Sequence, residues 1–161
     1  MNETAGTGVL AGIARRPRPR GPIEKLRSVS VTKTEGVHGN FRGAVMPGKL
    51  PRRQVSLIEA ESWAAALADL DLHPEEMLDW SVRRADLLVQ GLRLPREVGA
   101  VIAVGESLRI EVTLECDPCS RMDEIHPGLR TALVPDWRGG VLGKVLTDGD
   151  IAVGDEIRIE R

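Results

Sequence analysis

Two cysteines separated by two residues are the side chains best suited to nucleophilic or metal-binding chemistry. Just before them, Leu108–Glu115 alternates apolar and polar residues, and this period of two predicts a half-buried β-strand. Continuing the alternation places Cys116 on the apolar face, whereas Asp117 and Pro118 should end the strand and begin a loop that carries Cys119. We therefore expect Cys116 to be packed and Cys119 to be presented to solvent.

Three kinds of thiol chemistry fit a CxxC spacing. A structural zinc site needs four nitrogen or sulfur ligands, and without a second CxxC it would have to recruit His38 and His126. A thioredoxin-like dithiol needs its first cysteine exposed at a helix start, whereas here that cysteine ends a strand. The third possibility is a single thiolate at Cys119, near Arg121 and other basic groups, which would bind a soft or higher-valent metal or carry sulfur as a persulfide.

Two adjacent arginines lie in a segment, residues 81–88, that we predict to be a strand. Neighbouring strand residues point to opposite faces, so either Arg83 or Arg84 should face inward. A buried guanidinium needs an anionic partner. Asp86 shares a face with Arg84 and can be that partner, and an anionic ligand is the alternative.

Two loops have ligand-binding composition. The segment of residues 15–22 is stiffened by prolines and is basic, so it is either an anion-facing arm or a solvated loop; its arginines are Arg15, Arg16, Arg18 and Arg20. Residues 36–43 are rich in glycine, which allows backbone N–H groups to approach a ligand closely. His38 in this loop is a candidate ligand or proton donor, or is merely exposed.

Composition excludes several classes of function. With three Trp, one Phe and no Tyr, the chain lacks the stacking platforms of a single-stranded nucleic acid binder. A net charge of −2 lacks the field of a duplex-binding or membrane-surface protein. No apolar run is long enough to span a bilayer, and the N-terminal charges follow a short apolar stretch, the reverse of a secretory signal. We expect a cytoplasmic protein with reduced cysteines.

The pattern of elements predicts a mainly β fold. We expect a single domain over residues 1–161, with its core over about 8–160 and a flexible N-terminus over 1–7. Strands are predicted at residues 8–14, 29–32, 54–58, 108–115 and 141–146, with helices at 59–70, 74–80 and 127–134; Ser56 and Glu59 form a possible capping box. The near repeat of residues 103–111 and 152–160 predicts two equivalent hairpins. Together these elements favour a closed or nearly closed antiparallel β-barrel with a few short helices inserted.

Four segments in this order resemble a stand-alone MOSC domain, the family named for the C-terminal domain of molybdenum-cofactor sulfurases. They are residues 36–39 with QVSLIEAE, RRADLLVQGL, ECDPCSRMD, and RGGVLGKVLTDGDIAVGDEI. The resemblance covers nearly all of the chain after residue 8. It implies a β-barrel that binds molybdenum cofactor (Mo-molybdopterin). It also implies a cysteine that is either a molybdenum ligand or a sulfur carrier.

The resemblance also assigns residues. In amidoxime-reducing relatives the molybdenum ligand is the second cysteine of a CxxC-like pair, which corresponds to Cys119. Their Arg-x-Asn motif, whose arginine contacts the pterin phosphate, corresponds to Arg84 and carries Asp86 in place of Asn. Their Gly-x-x-Gly-Asp pattern ends here in Asn40. If the two loops meet, this Asp/Asn exchange keeps the total charge constant, so we expect Asn40 and Asp86 to be neighbours.

The resemblance implies three functions to choose between. With Cys119 bound to molybdenum, we expect Arg84, Arg121 and Arg138 to meet the anionic pterin phosphate. The first function is reduction of N-hydroxylated small molecules, such as amidoximes or hydroxylaminopurines, with an external electron donor. The second is sulfur carriage as a Cys119 persulfide supplied by a sulfur-donor protein, and the third is ligand binding without catalysis. The chain lacks the cysteine-desulfurase domain of the sulfurases, so no pyridoxal phosphate site is expected.

Overall fold

A computed structural model describes residues 6–160, so residues 1–5 of the expected flexible N-terminus lie outside the described residues. The strands are β1 (Gly8–Arg15), β2 (Glu24–Leu26), β3 (Ser28–Thr32), β4 (Gly36–Val37), β5 (Val55–Glu59), β6 (Leu87–Gln90), β7 (Val101–Val104), β8 (Leu108–Glu115), β9 (Val141–Thr147), β10 (Gly149–Ala152) and β11 (Glu156–Glu160). The α-helices are α1 (Ala60–Asp69), α2 (Arg121–Ile125) and α3 (Leu129–Ala132), and 3₁₀ turns occupy Pro74–Glu76, Trp80–Arg83 and Pro135–Trp137. No helix within the described range is long and apolar enough to cross a membrane.

Seven strands close into a barrel, which confirms the predicted fold class. Their order is β11-β7-β8-β9-β5-β6-β1, and pairing of β1 with β11 closes the ring. The barrel is mixed because β5 and β6 are parallel while the other pairs are antiparallel. Parallel neighbours need a crossover connection, and α1 with the two following 3₁₀ turns provides it.

A second sheet, β10-β3-β4, packs on the barrel through Val31, Val37 and Ile151, which belong to the main apolar core. This arrangement corrects the prediction of two equivalent hairpins. β7 and β8 do form a hairpin, but β10 pairs with β3 and β11 pairs with β1 and β7. The turn between β10 and β11 is bound instead to β1, since the Leu10 N–H donates to the Asp155 carbonyl and the Gly154 N–H to the Leu10 carbonyl.

Two apolar cores lie on opposite faces of β5. Leu57 belongs to the core inside the barrel, whereas its neighbour Ile58 packs with the helices, as the alternation of side chains along a strand requires. Trp63 of α1 and Met122 of α2 are buried in this outer core, which also contains Leu129 of α3. The helix predicted over 59–70 is therefore confirmed, and its apolar side faces this outer core. The outer core holds α2 in place, and α2 begins two residues after Cys119.

Three local predictions before β6 are wrong. In place of the helix predicted over 74–80, only Pro74–Glu76 form a 3₁₀ turn, and the predicted strand over 81–88 begins only at Leu87. The 3₁₀ turn Trp80–Arg83 occupies the start of that segment. Asp79 caps it by accepting from the Ser81 N–H, and Arg84 ends it in the left-handed region, with φ of 71°. The Ser56 capping box does not form either, because Ser56 lies within β5 and no side chain caps α1.

The close approach of the chain before β9 to β5 depends on a glycine at residue 140. Gly140 has φ of +98°, and a Cβ there would collide with the Leu57 carbonyl group of β5. We expect Gly140→Ala to lower the free energy of unfolding by about 3 kcal/mol or more, measured by urea denaturation. The matched control is Gly154→Ala, which has φ of +103° but open space around its Cβ position and should lose only about 1–2 kcal/mol. Equal losses would show that backbone strain alone, and not the approach of Leu57, decides the cost.

Candidate functional site

A cavity of about 250 Å³ gathers most of the residues singled out from the sequence. It lies where the loop after β1, the glycine-rich loop, the turn before β6 and the cysteine loop meet. Cys119, Arg84, Asp86, Asn40 and Arg121 all line it. These four segments are distant in the sequence, so the barrel is what brings the predicted residues together.

Arg138 is the predicted site residue that the structure places elsewhere. Its Nη1 donates to Asp69 Oδ2 at 2.6 Å and to the Ala132 carbonyl at 2.9 Å. The guanidinium therefore joins the C-terminal ends of α1 and α3, where a basic group is favourable. Arg138 does not line the cavity, and we leave it out of the site.

The two thiols differ in exposure, but not entirely as predicted. Cys119 is exposed, as expected from the break at Asp117 and Pro118. Cys116 is only half-buried, follows the end of β8, and lines the same cavity as Cys119. Its Sγ lies 3.2 Å from Nη2 of Arg83. Cys116 is thus a wall residue of the cavity and not the last inward residue of the barrel.

The inward-facing arginine is Arg83, which is only 6% exposed. Its Nη2 donates to the carbonyl oxygens of Cys116 and Gly139 at 2.9 and 3.1 Å. Its Nε has no hydrogen-bond partner in the described part of the chain. A buried guanidinium held only by neutral groups is an unbalanced charge.

Arg84 lines the cavity from its left-handed backbone position. Burial lowers the pKa of Arg84, and the like charges of Arg16, Arg121 and Arg42 lower it further. The predicted Arg84–Asp86 pair is not found, because the Asp86 carboxylate binds other partners. Arg84 is therefore available to an anionic ligand, the second of the two alternatives left by the sequence.

Asp86 and Asn40 are neighbours, as the exchange hypothesis requires. Asn40 Nδ2 donates to Asp86 Oδ1 at 3.2 Å, and Ser56 donates to Asp86 Oδ2 through its N–H at 2.9 Å and its hydroxyl at 3.2 Å. The Oδ1 of Asn40 accepts from the Arg16 N–H at 2.9 Å. Burial raises the pKa of Asp86 to about 7, although these hydrogen bonds and the charge of Arg42 oppose the rise.

The cavity is strongly basic. Seven arginines line it: Arg15, Arg16, Arg42, Arg53, Arg83, Arg84 and Arg121. Arg15 pairs with Glu24, but none of the other six makes an ion pair among residues 6–160. The lining includes only two carboxylates, Asp86 and Asp117. This arrangement suits a ligand with phosphate or carboxylate groups.

The two candidate loops contribute less than their composition suggested. Arg15 and Arg16 of the basic segment line the cavity, whereas Arg18 and Arg20 are solvent-exposed and lie outside it. In the glycine-rich loop, the Gly39 N–H donates to the Glu35 carboxylate, so this amide is not free for a ligand. His38 is also exposed and hydrogen-bonds Glu35. In the part of the chain that the structure describes, no group of three or more His, Cys, Asp or Glu side chains is placed to hold a metal ion, so the zinc alternative has no support.

Sequence reasoning missed two members of the site, Arg42 and Arg53. Both lie in irregular segments, where no periodicity predicts the direction of a side chain. The available signal was composition, because only four of the 22 basic residues are Lys. An arginine excess favours forked recognition of anions but does not say which arginines take part.

The MOSC domain profile matches residues 34–158. A search of curated proteins finds no match. Among solved structures, the YuaD protein from Bacillus subtilis aligns with a TM-score of 0.72 at 18% identity, covering 96% of each chain. YiiM from Escherichia coli aligns with a TM-score of 0.67 at 13% identity, covering 99% of this chain and 71% of its own. YiiM from Geobacillus stearothermophilus gives 0.66 at 14% identity, covering 97% and 76%. At these identities the structural likeness shows the shared fold alone.

The buried carboxyl of Asp86 should make stability depend on pH. Its pKa is about 7 in the folded protein and ordinarily 3.8, so between these values the folded protein keeps a proton that the unfolded chain releases. The stabilisation is present below about pH 4 and is lost as the pH rises to about 7. We expect Asp86→Asn, which cannot titrate, to gain unfolding free energy relative to wild type by about 1.4 kcal/mol per pH unit across this window.

The measurement is urea unfolding of both proteins between pH 4.5 and 7.5 in phosphate-free buffers. Asp71→Asn is the control, since it makes the same chemical change at an exposed position. If both variants follow the same pH trend, the buried titration does not belong to Asp86.

Proposed function

Because the chain belongs to the MOSC domain family, we propose that it binds molybdenum cofactor in the arginine-lined cavity and reduces N-hydroxylated small molecules. Cys119 is the proposed thiolate ligand of molybdenum. Arg84, Arg16 and Arg121 are the proposed partners of the pterin phosphate. The observation that carries the proposal is the meeting of an exposed thiol and several arginines without ion-pair partners in one cavity.

The cavity fits an anionic cofactor. Arg16 and Arg83 each have a buried Nε that lacks a hydrogen-bond partner among the described residues. Buried polar groups are nearly always satisfied, so an acceptor oxygen of a ligand that reached these atoms would be favourable. A phosphate offers several acceptor oxygens and a charge opposite to that of the guanidinium groups. Cofactor phosphate would therefore relieve both the orphaned donors and the mutual repulsion of Arg16, Arg84 and Arg121.

The thiol arrangement also fits this cofactor. A metal held wholly by the protein needs three or four ligands, which the described residues do not group together. A cofactor that brings sulfur ligands of its own needs only one thiolate, and a soft ligand suits molybdenum. Cys119 provides that thiolate at an exposed position, beside Arg121 at the start of α2.

The proposed reaction is a two-electron reduction. The N–O bond of the substrate breaks, two electrons and two protons enter, and an amine and water leave. The cofactor, when bound, supplies a two-electron redox centre, and an external donor in the cytoplasm replaces the electrons. The protein's own side chains bind the anionic groups and hold a proton; the carboxyl of Asp86, with its pKa near neutrality, is the lining group best placed to do so.

A second candidate function is sulfur carriage. The exposure of Cys119 favours it, because a sulfur-donor protein can reach an exposed thiol and leave a persulfide on it. The surrounding arginines would stabilise the persulfide anion. In this function molybdenum is the recipient's metal and is not resident in the cavity.

Molybdenum content separates these functions. We expect wild-type protein, produced in a host that makes the cofactor, to contain molybdenum by inductively coupled plasma mass spectrometry. Cys119→Ser should lose about 90% or more of it, because a hydroxyl is a poor substitute for a soft thiolate. Cys116→Ala is the matched control, because it removes the other thiol of the same cavity. It should lose stability through lost packing and yet keep its molybdenum, because Cys116 is not the proposed ligand.

Other outcomes have definite meanings. Equal molybdenum in wild type and Cys119→Ser would refute Cys119 as ligand. No molybdenum, together with sulfane sulfur on Cys119 by intact-mass analysis, would favour the carrier. Absence of both would leave a binding barrel without chemistry.

A further inference from the structure

Apart from Arg15, which pairs with Glu24, the arginines of the cavity form two groups at different depths. The inner group, which we define as Arg16, Arg83, Arg84 and Arg121, is buried or half-buried. The rim group, Arg42 and Arg53, is exposed. The rim arginines lie within the loop between β4 and β5, whereas the inner arginines belong to the loop after β1, the turn before β6 and the start of α2.

One phosphate does not account for both groups. A phosphate monoester carries a charge of about −2 near pH 7 and is commonly held by two or three forked donors. The inner group alone supplies four guanidinium groups, and two of its Nε atoms lack partners among the described residues. Arg42 and Arg53 remain without an ion-pair partner in the same part of the chain.

The rim also carries an aromatic surface. Phe41 is the one phenylalanine of the sequence and lines the cavity. The Arg42 guanidinium lies over its ring, 5.2 Å from the ring centroid. The Phe41 N–H donates to the Arg16 carbonyl at 2.9 Å, which fixes this platform to the inner loop. A planar heterocycle can stack on such a platform, while a neighbouring arginine binds an attached phosphate.

We propose that the rim binds a nucleotide, with the base stacked on the Phe41–Arg42 platform and the phosphate paired with Arg53. Resting on the proposed function, this names the substrate class: an N-hydroxylated purine or pyrimidine in phosphorylated form, preferred over the free base and over uncharged amidoximes. The second phosphate at the rim has two chemical sources, the substrate or a nucleotide extension of the cofactor itself. The first source is the one proposed.

The test is a calorimetric titration of the purified protein with adenosine 5′-monophosphate. Molybdenum content, and the mass of the pterin released on denaturation, are recorded first. The buffer contains no inorganic phosphate, which would compete with the nucleotide for the rim arginines; the comparison of Arg53→Gln with Arg52→Gln separates rim binding from binding to the inner group. We expect Arg53→Gln and Arg42→Gln each to weaken nucleotide binding about tenfold through loss of one charge-assisted contact. Adenosine, which lacks the phosphate, should bind wild type about as weakly as the nucleotide binds Arg53→Gln.

Arg52→Gln is the matched control. Arg52 is adjacent to Arg53 in the same exposed segment and carries the same charge, but its side chain does not line the cavity. It should bind the nucleotide within twofold of wild type. Equal weakening by Arg52→Gln and Arg53→Gln would reduce the effect to net charge and overturn the proposal.

Kinetics provide the second arm for molybdenum-containing protein. The kcat/KM for an N-hydroxylated purine nucleotide should exceed that for its free base about tenfold, and Arg53→Gln should remove the difference by raising KM for the nucleotide alone. A released pterin that carries a nucleotide, with no binding of the added nucleotide, would assign the rim to the cofactor and overturn the substrate proposal. If the protein contains no molybdenum, the proposed reductase function is refuted. The titration still tests the rim site, because the effect of Arg53→Gln on nucleotide binding does not require molybdenum.

Discussion

The site depends on one buried residue, Asp86, which ties four separate parts of the chain together. Its carboxylate accepts from Ser56 of β5 and from Asn40 of the glycine-rich loop, while its backbone carbonyl accepts from the Ala14 N–H of β1. Asp86 itself lies just before β6, beside Arg84. Burial of a carboxyl group is costly unless its hydrogen bonds are made, so the Asp86 carboxylate holds β5 and the glycine-rich loop at fixed distances. The backbone carbonyl of Asp86 holds β1 in the same way. The arginines on those segments are positioned as a consequence.

The parallel pair of β5 and β6 provides the frame for this arrangement. Because the crossover through α1 brings β6 back beside β5, Asp86 at the start of β6 meets Ser56 within β5. The same crossover places α1 on the outside of the barrel, where it packs with α2 and α3. The cysteine loop is thus fixed between β8 and an outer helical layer. Fold and site are consequently two results of the same connection.

Much of this could be predicted from periodicity and much could not. The alternation at Leu108–Glu115 gave the strand boundaries correctly, and the break at Asp117 and Pro118 gave the exposure of Cys119. The prediction that one of the two adjacent arginines faces inward was correct, but the strand from which it was argued does not exist. The two residues belong to the end of a 3₁₀ turn, in which Arg83 is buried and Arg84 adopts a left-handed conformation. Alternation describes regular backbone only.

Contacts between distant loops could be predicted from the sequence only where two residues departed together from the family pattern. The meeting of Asn40 and Asp86 was predicted because an amide and a carboxylate had exchanged places relative to the family pattern. Arg138 was misplaced because a family segment identifies a neighbourhood and not a side-chain direction, and Asp69 of α1 binds its guanidinium. Arg42 and Arg53 had no such signal.

The pairing of β1 with β11 has a consequence for biogenesis. Gly8 and Val9 pair with Ile157 and Glu156, almost 150 residues later, whereas the end of β1 pairs with the nearby β2. During synthesis the first part of this edge therefore stays unpaired until β11 has emerged from the ribosome, and an unpaired edge is a template for intermolecular pairing. Such distant pairing also slows folding, because the entropy of closing a long loop must be overcome first. This short edge is exposed to intermolecular pairing until the ring is complete.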